Sequence, residues 1–249
     1  MSSKLSRRKL LTGAALVGSV APLAAAGLTQ ARVVQGEMPW HEGAENAPEG
    51  ASGGGYRFFT DAEAAFIHAA VGRLIPSDDL GPGAIEANVP FFLDRQLGGA
   101  YGRAQTWYMQ GPWSAGLSTQ GYQSRMTPAQ LYRAAIKAID DHATRQMGGK
   151  TFAQLDAKAQ DDLLHGLEGG KIELPGVSAA QFFSLLWQNT VEGFFSDPIY
   201  GGNRDMVGWK LIGFPGARYD YREYLHHNGK RVELPPVALK GRPGWDPHN

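Results

Sequence analysis

Ser178-Ala179-Ala180-Gln181-Phe182-Phe183-Ser184-Leu185-Leu186-Trp187-Gln188-Asn189-Thr190-Val191-Glu192-Gly193-Phe194-Phe195 is the stretch whose reading decides the fold. A serine followed three residues later by glutamine is a capping box, in which each side chain satisfies an orphan amide at a helix start. Behind it Phe182, Phe183, Leu185, Leu186, Val191, Phe194 and Phe195 make this the most apolar helical segment of the chain. A helix that apolar needs neighbours to cover it, so it is predicted to lie at the centre of a bundle. Asp197-Pro198 ends it, because proline brings no amide to continue the ladder.

Working outward, the same box recurs at Thr60 and Glu63, Thr127 and Gln130, and Thr151 and Gln154. The first predicts a helix with Phe66, Ile67, Ala70, Val71 and Leu74 on one stripe, stopping at Pro76. The second, with Pro128 at its first position, carries Leu131, Ala135, Ile139 and His142 and ends at Gly148-Gly149. Asp161 to Glu168 supplies a shorter helix through Leu163, Leu164 and Leu167, and Asn88 to Leu97 another with Asn88 as its cap. Gly98 to Arg125 mixes glycine with Tyr101, Trp107, Tyr108, Trp113 and Tyr122 and is not helical by pattern. Those aromatics suit either a binding surface or a cover folded back on a small core. The chain after Asp197 is also read as irregular, with His227-Asn228-Gly229-Lys230 marking a tight hairpin between short arms. The expected fold class is mainly α: a small helical bundle with long irregular loops and a short C-terminal hairpin.

The N-terminus reads as an address. Arg7 and Arg8 directly precede a modestly apolar run, Leu11 to Ala26, that closes in Ala24-Ala25-Ala26. A charged region, an apolar region and a small-residue end make an export signal, and the paired arginines point to the twin-arginine translocase. Residues 1–26 are therefore expected to be a twin-arginine signal peptide, and 27–55, with Pro39, Pro48 and Gly53-Gly54-Gly55, a flexible leader. A single helical domain is expected over 56–249. The first 26 residues hold four basic groups and no acid, so the remainder carries 20 basic against 24 acidic side chains, a net charge of −4. That balance leaves no electrostatic footprint for nucleic acid. The run before Ala26 is too short and alanine-rich for a permanent membrane span, so the mature chain is expected to be water-soluble.

Chemistry is sparse. There is no cysteine, which excludes disulfides, thiolate-held iron–sulfur clusters and covalent haem attachment. No glycine-rich dinucleotide fingerprint, P-loop, nucleophile elbow or His-Glu-x-x-His occurs. His226-His227 and the acid pairs Asp78-Asp79, Asp140-Asp141 and Asp161-Asp162 read as surface, turn and solvated helix positions, since sequence neighbours do not share a face. No catalytic, cofactor-binding or metal-binding residue is assigned.

Thr190 to Gly216, with Tyr200-Gly201-Gly202-Asn203-Arg204-Asp205 at its heart, resembles the hallmark of the gluconate 2-dehydrogenase subunit 3 family. Phe59-Thr60-Asp61-Ala62-Glu63 and Leu74-Ile75-Pro76-Ser77-Asp78-Asp79-Leu80-Gly81-Pro82-Gly83-Ala84 resemble the same family's opening, so the likeness runs from about Phe58 to Tyr219. It implies a non-catalytic small subunit of a periplasm-facing, membrane-associated oxidoreductase acting on CH–OH groups of sugars or sugar acids. By the same resemblance FAD sits on a large partner subunit and haem c on a multihaem cytochrome, while this chain supplies the export signal and helps the flavoprotein fold. Within the motif Gly201, Gly202 and Asn203 are expected to build a compact loop, and Tyr200, Arg204, Asp205 and Trp209 to lock it or to reach the partner. A free-standing enzyme with an unrecognised site and a periplasmic sugar-binding module are the competing readings.

Overall fold

In the computed structural model the helices begin where polar side chains stand ready to receive their first amides. The structure describes residues 55–114, 116–117, 120–218, 221–230 and 234–239, so the expected signal peptide and all but the last residue of the leader lie outside the described residues. Helix α1, Asp61–Leu74, starts at Thr60, whose hydroxyl accepts from the Glu63 amide at 3.3 Å while the Glu63 carboxylate accepts from the Thr60 amide at 2.8 Å. Such a cap is worth about 1 kcal/mol. Helix α3, Pro128–Gln146, repeats the device with Thr127 and Gln130. The Thr151–Gln154 box forms as well, but it opens only the 3-10 turn Phe152–Gln154. Helix α4, Ala157–Glu168, has its own cap in Asp156, whose carboxylate takes the Ala159 amide at 2.9 Å.

Helix α2, Val89–Gly98, departs from expectation at its start. Asn88 is left-handed, with φ 62°, and its side chain caps nothing in the helix. Its amide instead donates to the Gly201 carbonyl at 2.8 Å, so the residue ties α2 to the C-terminal loop.

Helix α5, Ala179–Phe195, packs against α1, α2, α3 and α4, and the buried faces meet in one core. Phe66 of α1 lies 4.7 Å from Phe152, and Tyr132 of α3 meets Phe182 edge-on at 5.4 Å, the geometry that ring quadrupoles favour. Phe182, Leu186 and Phe194 are sealed, but α5 is not covered all round, since Trp187 remains 44% exposed. Asn189, on the buried side, accepts from both the Tyr101 and Tyr132 hydroxyls at 3.0 Å and donates to Glu192 at 3.0 Å. Burial pushes the Tyr101 phenol up to about 12 and that of Tyr132 well above its ordinary value. Both therefore stay protonated donors. The aromatic segment after Gly98 thus folds back on the core: Trp107 packs between Tyr101 and Tyr122, and Tyr108 alone among these rings is wide open to solvent.

Past Asp197 the chain is more regular than its pattern predicts. Two 3-10 turns, Pro198–Tyr200 and Arg204–Met206, lead into α6, Val207–Ile212. The Asn228-Gly229 turn forms, with the Lys230 amide donating to the His227 carbonyl at 2.9 Å. The arm before it is the 3-10 turn Arg222–Tyr224 rather than an extended strand, and residues 231–233 lie outside the described residues. Among the described residues no helix is long and apolar enough to cross a membrane.

Candidate functional site: the loop and short helix after α5

A helix end leaves its last carbonyls without partners. At the end of α5 side chains of the following loop supply them. Asn203 is wholly buried; its amide donates to the Ser196 carbonyl and its oxygen accepts from the Gly208 amide, both at 2.8 Å. The Trp209 indole donates to the Phe195 carbonyl at 2.7 Å and is itself only 5% exposed. Asp197 accepts from the Ile199 amide on one oxygen and from the Leu239 amide on the other, both at 2.9 Å, which brings a distant stretch of chain to the same corner. Ala238 of that stretch packs with Met206 and Trp209 in a small second core.

The loop is tight. A Cβ on Gly202 would fall 2.2 Å from the Gly193 carbonyl oxygen, so glycine here serves close backbone approach to α5 and leaves no phosphate cradle. Gly201, with φ 93°, makes the preceding reversal that side-chain-bearing residues resist. Asn203, Asp205 and Met206 are nevertheless left-handed at φ 45°, 57° and 55°, and the Arg204 amide is held by the Ala87 carbonyl at 3.0 Å. Non-glycine residues in that region cost on the order of 1–3 kcal/mol each, and neighbouring contacts must hold them there.

Of the motif residues singled out in the sequence, the structure places Gly201, Gly202, Asn203 and Trp209 inside this corner. Tyr200, at 54% exposure, and the side chains of Arg204 and Asp205 face solvent, and the latter two make no side-chain hydrogen bond or ion pair among the described residues. Arg7 and Arg8 lie outside the described residues.

The other polar clusters are accounted for by packing. Asp78 accepts from the Leu80 amide in a turn. Asp140 is half-buried rather than solvated and takes the Phe152 amide at 2.9 Å; burial raises its pKa above the ordinary carboxylate value. Asp141 and Asp162 pair with lysines one turn earlier. Asp161 receives Arg73 through two hydrogen bonds of 2.7 Å, which lowers its pKa. That pair borders a groove of about 250 Å³ between α1, α4 and α5, with Phe183, Trp187, His165 and Glu168 also lining it. His226 and His227 are both exposed, and among the described residues no three histidine or carboxylate side chains come together as metal ligands.

Asp94, on α2, has the most demanding environment of any acid among the described residues, and pattern reading overlooks it. It is completely buried and accepts from three successive backbone amides, Arg57, Phe58 and Phe59, at 2.8 to 3.1 Å, and from the Arg95 guanidinium at 3.0 Å. Its sign in the sequence is position: it stands one residue from Leu93 and three from Leu97 on a helix whose other inward residues are apolar.

Compared with known families, the chain matches the model described as Gluconate 2-dehydrogenase subunit 3 over residues 61–216. No curated protein and no solved structure matches.

Proposed function

The chain belongs to the gluconate 2-dehydrogenase subunit 3 family, and from that premise we propose that it is the non-catalytic small subunit of a periplasm-facing, membrane-associated dehydrogenase of sugars or sugar acids. In this reading a large partner subunit holds FAD and oxidises a CH–OH group, and a cytochrome subunit with haem c carries the electrons onward. The small subunit assists folding of the flavoprotein and carries it through the twin-arginine translocase. The observation behind the reading is the family match across α1 to α6, taken with Arg7-Arg8 ahead of an apolar run. A chain that folds around helix caps and satisfied polar clusters, and bears an export address, suits a carrier whose cargo lacks one.

The test is a mild-detergent pull-down of the chain, tagged at Asn249, from its native membrane. The expected result is a large partner with a flavin absorbance band, lost from the periplasm when Arg7 and Arg8 are both replaced by lysine. A colourless lone chain overturns the reading. The groove beside Trp187 supports a second one, a sugar-binding module, because an exposed indole flanked by Arg73, Asp161 and Glu168 offers a stacking platform with hydrogen-bonding edges. Calorimetry of the isolated chain with gluconate, glucose and fructose gives heat only under that second reading.

A further inference from the structure

Apolar side chains are unevenly exposed in this molecule. Of the thirteen large apolar or aromatic side chains that are more than a third exposed among the described residues, seven lie between Tyr200 and Leu239. Three of them follow in quick succession: Leu211 and Ile212 in the last turn of α6, at 47% and 60%, and Phe214 just beyond, at 43%. They are held in place. The Phe214 amide donates to the Trp209 carbonyl at 2.9 Å, its ring meets the buried Trp209 indole edge-on at 5.2 Å, and Trp209 is fixed to the end of α5.

Charge is uneven along the same division. Residues 56–197 carry 11 basic and 15 acidic side chains, a net −4, whereas residues 198–249 carry eight and five, a net +3. Arg204 and Lys210, in the exposed stretch itself, are exposed and have no acidic partner among the described residues. Tyr200 and Arg204 are moreover of the residue types that dominate binding energy at protein interfaces.

We propose that the surface formed by Tyr200, Leu211, Ile212 and Phe214, with Arg204 and Lys210 beside them, is where the large flavoprotein subunit docks, through an apolar patch bordered by acidic side chains. The proposal rests on the small-subunit reading above and assigns it a location. Exposed leucine, isoleucine and phenylalanine rigidly presented next to unpaired cations match an apolar centre with an acidic rim. A protein occupant is favoured over anionic lipid because only two cations stand in the patch, with Asp205 next to Arg204, whereas lipid-binding segments gather four to eight. The left-handed backbone at Asn203, Asp205 and Met206 has a use on this account, since it turns the chain so that α6 lies against the end of α5 with Trp209 inward and Leu211 and Ile212 outward.

The test compares full-length variants, each co-expressed with the flavoprotein subunit. Leu211→Ser with Ile212→Asp is expected to weaken association at least about tenfold, and Arg204→Gln with Lys210→Gln to slow association and remove most of its salt dependence. Trp187→Ala, at an exposed aromatic outside the patch, is expected to leave association unchanged. Circular dichroism and thermal unfolding, unaltered in the exposed-residue variants, separate loss of docking from loss of fold. If the wild-type chain captures no flavin-bearing subunit, the small-subunit reading falls and this inference with it. If the wild type captures it and the patch variants do so equally well, only the location is overturned. Loss with Trp187→Ala alone, or binding of the wild-type chain to phosphatidylglycerol vesicles that the patch variants abolish, overturns it too.

Discussion

Two stretches each meet the helical body at one wholly buried polar side chain, with lesser ties around it, and the two are arranged in opposite ways. Ahead of α1 the body provides the clasp: Asp94 stands on α2 and three successive amides of the bent segment Arg57 to Phe59 come to it. After α5 the segment itself provides it: Asn203 stands in the loop, in a left-handed conformation, and reaches back to the helix end. The first arrangement is relaxed in backbone and carries a charge. The second is strained and neutral, and the residues beyond it display Leu211, Ile212 and Phe214 in quick succession. A segment that is attached at its root and strained along its length is a platform for presentation, whereas one gripped amide by amide is part of the foundation.

The sharpest way to break that contrast is Asp94→Ala. It leaves three backbone amides, that of Phe59 buried, and the partly covered Arg95 guanidinium without their acceptor, so the expected loss is about 2–4 kcal/mol of global stability, read as a lower urea midpoint. A loss within about 0.5 kcal/mol puts the clasp outside the cooperative body. Asn203→Ala comes next, at about 2–3 kcal/mol, because the Gly208 amide and the Ser196 carbonyl are both stranded. Hydrogen exchange tells more here than the midpoint does: protection should fall across residues 198–212 and persist in α1 and α3. Uniform loss throughout the helices erases the distinction between platform and foundation.

The smallest effect concerns His68, whose Nε2 shares a hydrogen bond with the Tyr56 hydroxyl. Burial lowers its pKa from the ordinary 6.5. The folded state therefore binds this proton at lower pH than the unfolded state, so the site's stability is complete above about 6.5 and is lost as pH falls through the lowered value. Denaturation at about pH 7 and pH 5 should show a slope that His68→Gln reduces.

Much of the body was legible because its helices announce themselves chemically. Thr60, Thr127 and Ser178 each stand one residue before an observed helix, and most of the stripe residues that follow are buried, while Leu74, His142, Phe183, Val191 and Phe195 are only partly covered. Thr151 shows the limit of that reading: Gln154 reaches back to the Thr151 amide, but the Gln154 amide goes to the Thr151 carbonyl, the bond of a 3-10 turn, and nothing in the four residues tells turn from helix. Asn88 failed as a cap because its side chain is spent on Gly201, 113 residues away. Helix α6 was missed because six residues containing Gly208 and followed by Gly213 hold no periodicity; its amphipathic partner is the end of α5, not its own pattern. The motif around Asn203 was recognisable as a loop, but which of its residues face inward depends on that unpredicted helix. Trp209 and Tyr200 have equal standing in the sequence and opposite fates in the fold.

The clasp at Asp94 also decides how the molecule takes a load. Tension applied upstream of Gly55 reaches the body through Arg57, Phe58 and Phe59, and those three amides hand it to the middle of α2 before the first turn of α1 feels it. Arg95 adds a second grip on the Gly55 carbonyl at 3.3 Å. Under such a load α1 would be shielded from peeling by an anchor set inside the body.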